Sequence, residues 1–140
     1  MYLDKENMFS MAQAVTATAL STDLIDLGAG DIGPSEDISL FVHAGTAFTG
    51  AGTITVNVLT SGALNAAGNA LDSAVTLASF PVSNAALLAG GKLVAARLPH
   101  GCQRYIRLNY TVSGTVADGT ITAGLVADVQ ANDFVPTGNQ

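Results

Sequence analysis

Side chains able to attack an electrophile, move a proton or hold a metal are few in this 140-residue chain: one cysteine, two histidines and eleven carboxylates. Cys102 and His100 lie two positions apart. Such a pair becomes a nucleophile only when a third group holds the base against the thiol. No spacing in the chain supplies that group, and the flanking Pro99, Gly101 and Gln103 predict a turn. A lone cysteine also builds no internal disulfide framework and no cysteine-based zinc site. His43 and His100 are 57 residues apart, with no His-x-His pair and no carboxylate at a ligand-like offset. A cupin-type metal site is not expected.

Carboxylates pair at Asp23/Asp26, at Glu36/Asp37 and at Asp26/Asp31. Acid/base hydrolysis needs one member of a pair raised in pKa by burial, and nothing in these neighbourhoods predicts burial. The glycine-containing loop from Asp26 to Asp31 offers oxygen ligands of the kind calcium takes, but a solvated turn is the expectation. Gly28-Ala29-Gly30-Asp31-Ile32-Gly33 has the Gly-x-Gly-x-x-Gly spacing of a dinucleotide loop. That fingerprint must open a helix inside a strand-helix-strand unit. Here Pro34 follows at once and a strand comes next. No catalytic residue, cofactor or metal ligand is therefore assigned, and the chain is not expected to be an enzyme.

The elements that carry these residues read as strands. Ile54, Val56 and Val58 alternate with Thr53, Thr55 and Asn57, the period of a half-buried antiparallel strand. Ile38, Leu40 and Val42 alternate in the same way with Ser39, Phe41 and His43, and the small residues between the two runs predict a hairpin. Ile106, Leu108, Tyr110 and Val112 form a third alternating run, followed by a loop containing Asp118-Gly119 and a strand from Thr120 to Asp128. This pair predicts a second hairpin. Shorter runs at Asp23–Leu27, Val75–Phe80 and Leu93–Leu98 bring the count to about seven strands. Asn84 to Gly90 predicts one helical turn, capped by Asn84 and stopped by Gly90 and Gly91.

Short, evenly punctuated strands without a long helix predict an all-β fold, an antiparallel jelly-roll-like β-sandwich. Residues 1–22 show no sustained period and read as an extended N-terminal arm. Residues 23–130 form the single sandwich domain, and 131–140 a flexible polar tail.

Composition limits the partners. A chain of this length can bury a self-sufficient core. Charged residues are 11% of it, against about 25% in an average soluble domain, so Thr, Ser, Asn, Gly and Ala must supply much of the surface. The net charge of −6 argues against nucleic acid, whose phosphates call for clustered Lys and Arg. Lys92, Arg97, Arg104 and Arg107 do fall close together, and strand-borne arginines pairing with the acids are the expectation there. No run of 18 apolar residues suggests a membrane span, and the charged Asp4-Lys5-Glu6 start does not read as a signal peptide. A protein made in a cytoplasm is expected.

Two segments resemble a known family. One runs from Leu3-Asp4-Lys5 through Phe9-Ser10 and Ala12-Gln13-Ala14-Val15-Thr16-Ala17-Thr18-Ala19 to Ile25-Asp26-Leu27-Gly28. The other is Arg104-Tyr105-Ile106-Arg107-Leu108-Asn109-Tyr110-Thr111-Val112, followed by Gly114-Thr115 and Thr122-Ala123-Gly124-Leu125-Val126. Together with Gly33-Pro34 and Glu36-Asp37, they resemble the Bbp16-type capsid cement proteins of tailed bacteriophages across nearly the whole chain. The resemblance implies a jelly roll that decorates the exterior of the virion's capsid as a homo-oligomer and bridges neighbouring subunits of the major capsid protein. It brings no catalytic residues.

On that reading Leu3, Phe9 and Val15 of the arm, with Arg104, Tyr105 and Arg107 of the third alternating run, are the candidate interface residues. The arm would pair its main chain with a neighbour, and the guanidinium groups would form bidentate pairs with a partner's carboxylates, although an intramolecular pair across the sheet is the first expectation. The alternative is a jelly-roll carbohydrate- or receptor-binding module of a phage tail. Sugar stacking needs exposed aromatics, and the chain has no Trp and three tyrosines, Tyr2, Tyr105 and Tyr110.

Overall fold

The computed structural model describes residues 7–26, 39–98 and 101–126. In chain order its elements are β1 (Met8–Ala14), β2 (Ala19–Leu20), β3 (Ile25–Asp26), β4 (Ser39–Thr46), β5 (Thr53–Ser61), β6 (Val75–Val82), the short helix α1 (Asn84–Ala89), β7 (Gly91–Arg97), β8 (Tyr105–Ser113) and β9 (Thr120–Val126). One antiparallel sheet has the order β1-β9-β4-β7. The other has the order β2-β8-β5-β6, with β3 also pairing β8 below β2. The chain is an all-β sandwich.

Alternation decides which side chains fill the space between the sheets. Ile54, Val56 and Val58 of β5, Ile106, Leu108 and Tyr110 of β8, Leu40 and Val42 of β4, and Ile121 and Ala123 of β9 are all fully buried. Their neighbours Thr53, Thr55, Asn57, Asn109 and Thr111 face outward, partly or fully exposed. Each large apolar side chain so buried contributes roughly 1.5–3 kcal/mol.

Both expected hairpins are absent. β4 and β5 lie in different sheets, as do β8 and β9. The segments between them are corners that carry the chain over one end of the sandwich. Phe48, in the first corner, is drawn into the core at 2% exposure, beside Val116 of the second. Thr49 and Ala117 then bridge the two corners through paired backbone hydrogen bonds of 2.9 and 3.0 Å. Gly119 is required there: a Cβ on it would sit 2.2 Å from the Phe48 ring. Among the described residues, the consecutive strands that pair directly are β5 and β6.

The N-terminal segment also differs from expectation. From Met8 onward it is no free arm: β1 pairs with β9 in one sheet and β2 with β8 in the other. Register shifts between Met8 and Ser10 and between Ser10 and Gln13 break the alternation of β1, which is why its sequence shows no period. Residues 1–6, and the tail expected at 131–140, lie outside the described residues. The helix is capped by Ser83 rather than Asn84. Ser83 Oγ accepts from the Ala86 N–H, while Asn84 Nδ2 donates to the carbonyls of Gly50 and Gly52 at 3.0 and 2.8 Å.

Candidate functional site

The residues expected to meet a partner divide into three groups. Phe9 and Val15 are 0% and 1% exposed, inside the main core, so they cannot be interface residues: the bulged β1 turns them inward. Leu3 lies outside the described residues. Arg104, Tyr105 and Arg107 do sit on the outward face of β8 or at its start, but the arginines are engaged within the chain.

Arg104 makes a bidentate pair with Asp26 of β3, Nε to Oδ1 at 2.9 Å and Nη2 to Oδ2 at 3.0 Å. Its guanidinium also stands 5.0 Å from the centre of the Tyr105 ring. The hydrogen bond to Asp26, then its charge, hold Arg104 above its usual pKa. Both partners are well exposed, so solvent screens the pair.

Arg107 is the more buried of the two and contacts backbone. Its Nε and Nη2 donate to the Ser21 carbonyl at 3.0 and 2.6 Å, and Nη1 donates to the Asn69 carbonyl at 3.3 Å. Burial lowers its pKa, with the charge of Asp23 opposing. Arg107 therefore fastens the turn between β2 and β3 onto the sheet. The sequence placed Arg107 on the right strand, with Arg104 just before it, while their partners Ser21 and Asp26, some eighty residues away, carried no local signal.

Next to Arg107 lies a polar knot that no sequence pattern announced. Ser10 Oγ is 2.8 Å from the Tyr110 hydroxyl and also donates to Gln13 Oε1 at 2.7 Å. Gln13 Oε1 accepts from the Thr22 N–H, and Gln13 Nε2 donates to the Leu20 carbonyl. Ser21 exchanges bonds with Leu108, accepting from its N–H at the hydroxyl and donating its own N–H to the Leu108 carbonyl. Burial raises the Tyr110 phenol well above its usual pKa, against a smaller opposing effect of the Ser10 bond. The knot locks the N-terminal strands into place.

Elsewhere, burial pushes the Cys102 thiol up from its ordinary 9.0, away from the thiolate that nucleophilic chemistry needs. His43 is exposed on β4. Among the described residues, no three His, Cys, Asp or Glu side chains converge as metal ligands. His100, Asp31, Glu36 and Asp37 lie outside the described residues. Tyr110 is fully buried and Tyr105 has Arg104 over its ring, so neither offers an open stacking platform.

Away from Arg104 and Arg107, the same sheet presents a patch of uncharged polar side chains. On the outer side of the β2-β8-β5-β6 sheet, Asn57 Nδ2 donates to Thr111 Oγ1 at 2.9 Å and Ser79 Oγ donates to Asn57 Oδ1 at 2.6 Å. Charge is distributed unevenly along the chain. The described residues hold four acids (Asp23, Asp26, Asp72, Asp118) and four cations (Lys92, Arg97, Arg104, Arg107). The whole net charge of −6 therefore falls in segments 1–6, 27–38 and 127–140. All three join the sandwich at one end. Met8 pairs with Gly124, Ser39 with Val126 and Arg97, and Asp26 with Tyr105. The corners around Thr49 and Ala117 mark the opposite end.

A family model described as Bbp16 matches residues 9–129. A search of curated proteins returned no match.

Proposed function

The chain belongs to the Bbp16 family of phage-related proteins, and from that premise we propose that it is a capsid cement protein. It binds the exterior of a tailed-phage head, bridges neighbouring subunits of the major capsid protein and catalyses no reaction. The family match over residues 9–129 carries this reading. We read the strand orders β1-β9-β4-β7 and β2-β8-β5-β6 as the winding of an eight-position jelly roll, with β2 and β3 sharing one position.

The chemistry of the chain supports a passive, load-sharing role. Among the described residues, the buried polar side chains Ser10, Ser21, Thr60, Ser61 and Tyr110 are committed to bonds that hold the sandwich together. The outer face around Asn57 is lined by uncharged polar side chains, Thr111 and Ser79 among them. A shell repeats one site many times, so a homo-oligomer that engages several copies gains by multivalency what each contact lacks. Because the strands from Met8 to Leu20 belong to the fold, contact with the shell falls to the sheet surfaces rather than to a separate arm.

Co-sedimentation of the purified protein with undecorated heads of its phage tests the reading. Saturable binding at a fixed number of copies per major capsid subunit is expected. A folded protein that does not bind heads overturns it and favours the tail-borne binding module.

A further inference from the structure

Asp118-Gly119 is the single Asp-Gly pair in the sequence, and no Asn-Gly pair occurs. Such a pair is chemically labile, because the unhindered backbone nitrogen of the glycine can reach the carboxyl carbon of the preceding side chain. Two separate constraints of the corner nevertheless put these residues there. The Gly119 N–H donates to the Ala117 carbonyl at 2.8 Å, and Asp118 between them has φ 61°. This is a γ-turn of the rare, strained kind, with a positive φ that Asp tolerates better than most residues. Gly119 is buried, and a Cβ on it would stand 2.2 Å from the Phe48 ring. Packing thus dictates a labile pair, and the geometry of the corner restrains both reacting groups. The nitrogen is held by the Ala117 carbonyl. The carboxylate is held by Thr49, whose Oγ1 donates to Asp118 Oδ2 at 3.0 Å, and Thr49 is itself fixed to Ala117 by the paired backbone bonds.

We propose that Asp118-Gly119 is a latent modification site, shut while the corner is bonded to Thr49 and converted to isoaspartate once the corner opens. It stands independently of the cement reading. Conversion needs only water. The Asp118 carboxylate takes up a proton, the Gly119 nitrogen bonds to Cγ, and one carboxyl oxygen leaves as water with the amide hydrogen, which gives a five-membered succinimide. A second water opens the ring. Cleavage of the new Cγ–N bond returns aspartate. Cleavage of the original peptide bond leaves the main chain running through the side-chain carboxyl carbon, with mass and charge unchanged. In the folded corner ring closure is opposed, because it consumes the hydrogen that closes the γ-turn and takes the carboxylate away from Thr49. Local opening supplies the state that reacts. The change is then one-way for the fold. An isoaspartate lengthens the backbone by one carbon between Ala117, bonded to Thr49, and Thr120, paired with Thr46, and the buried Gly119 no longer fits beside Phe48.

The test is peptide mapping of the full chain after prolonged incubation at neutral pH, with isoaspartate located at residue 118 by electron-based fragmentation in the mass spectrometer. The native protein is expected to convert at least about tenfold more slowly than the same chain unfolded in guanidinium chloride, because only the opened fraction reacts. Thr49→Val keeps the backbone bridge and removes the hydroxyl; it is expected to stay folded by circular dichroism and to convert faster than the native protein. Should that variant unfold, the native sequence in denaturant below its unfolding midpoint carries the same test, and its conversion is expected to rise with denaturant while the circular dichroism is still native. Chains already converted, purified and diluted from denaturant, are expected to melt below the native midpoint. A native rate equal to the unfolded one, a folded Thr49→Val that converts no faster, a rate indifferent to denaturant below the midpoint, or converted chains that regain the native melt overturns the inference.

Discussion

The hydroxyls of Ser10 and Tyr110 stand 2.8 Å apart in the interior, joining β1 to β8 across the two sheets and across a hundred positions of sequence. The contact is asymmetric, because Ser10 has a second partner in Gln13, whereas Tyr110 has the Ser10 bond alone among the contacts described here. Tyr110→Phe leaves Ser10 bonded and is expected to cost about 1 kcal/mol. Ser10→Ala strands a buried phenol and is expected to cost about 1–3 kcal/mol. Urea denaturation of the two variants decides the order, and equal costs would contradict the asymmetry.

The same phenol sets the alkaline limit. Burial raises the pKa of Tyr110 in the folded chain above its ordinary 10.0, so at high pH the unfolded chain loses this proton first. Stability from this group is intact below pH 10 and falls as pH rises above it. Tyr110→Phe should flatten the alkaline decline in the unfolding midpoint, and a decline that is unchanged in the variant would assign it to other groups.

The two arginines should separate in a stability assay. Arg107→Ala removes charge-assisted bonds to the Ser21 carbonyl and is expected to cost about 1.5–3 kcal/mol. Arg104→Ala breaks an exposed pair with Asp26 and should barely move the melting midpoint, with an even smaller effect in high salt. Equal effects in thermal melts would argue against this division.

Removing residues 1–20 takes Phe9 and Val15 out of the core and leaves the outer edge of β9 without a partner. An aromatic core side chain alone is worth about 3–5 kcal/mol. The truncated chain is expected to be unfolded by circular dichroism. A folded truncation would restore the idea of a separate arm.

Some of this was legible in the sequence and some was not, for physical reasons. Alternation identified β4, β5, β8 and β9 and told which residues face inward, because period two is a local property. It did not reveal strand partners. Asp118-Gly119 looked like a hairpin turn, yet Asp118, at φ 61°, sits in a corner held by Thr49 and Phe48 from a distant part of the chain. The two register shifts in β1 erased its period and disguised a core strand as an arm. For the candidate site, Arg107 on β8 and Arg104 just before it were visible, but Ser21 and Asp26 as their partners depend on how β2 and β3 come to lie against β8.

One further consequence follows from the pairing of β1 with β9. Met8 meets Gly124 and Ala14 meets Thr120, so β1 finds its described partner only after every intervening strand of the sandwich has been made. The sheet that contains both cannot close before β9 has been made. Topologies dominated by such distant pairings fold in roughly milliseconds to seconds, and until β9 arrives the backbone of β1 lacks the neighbour it pairs with in the sheet. The sandwich is therefore complete only once β9 is present, and the yield of folded protein in a cell should depend on that strand.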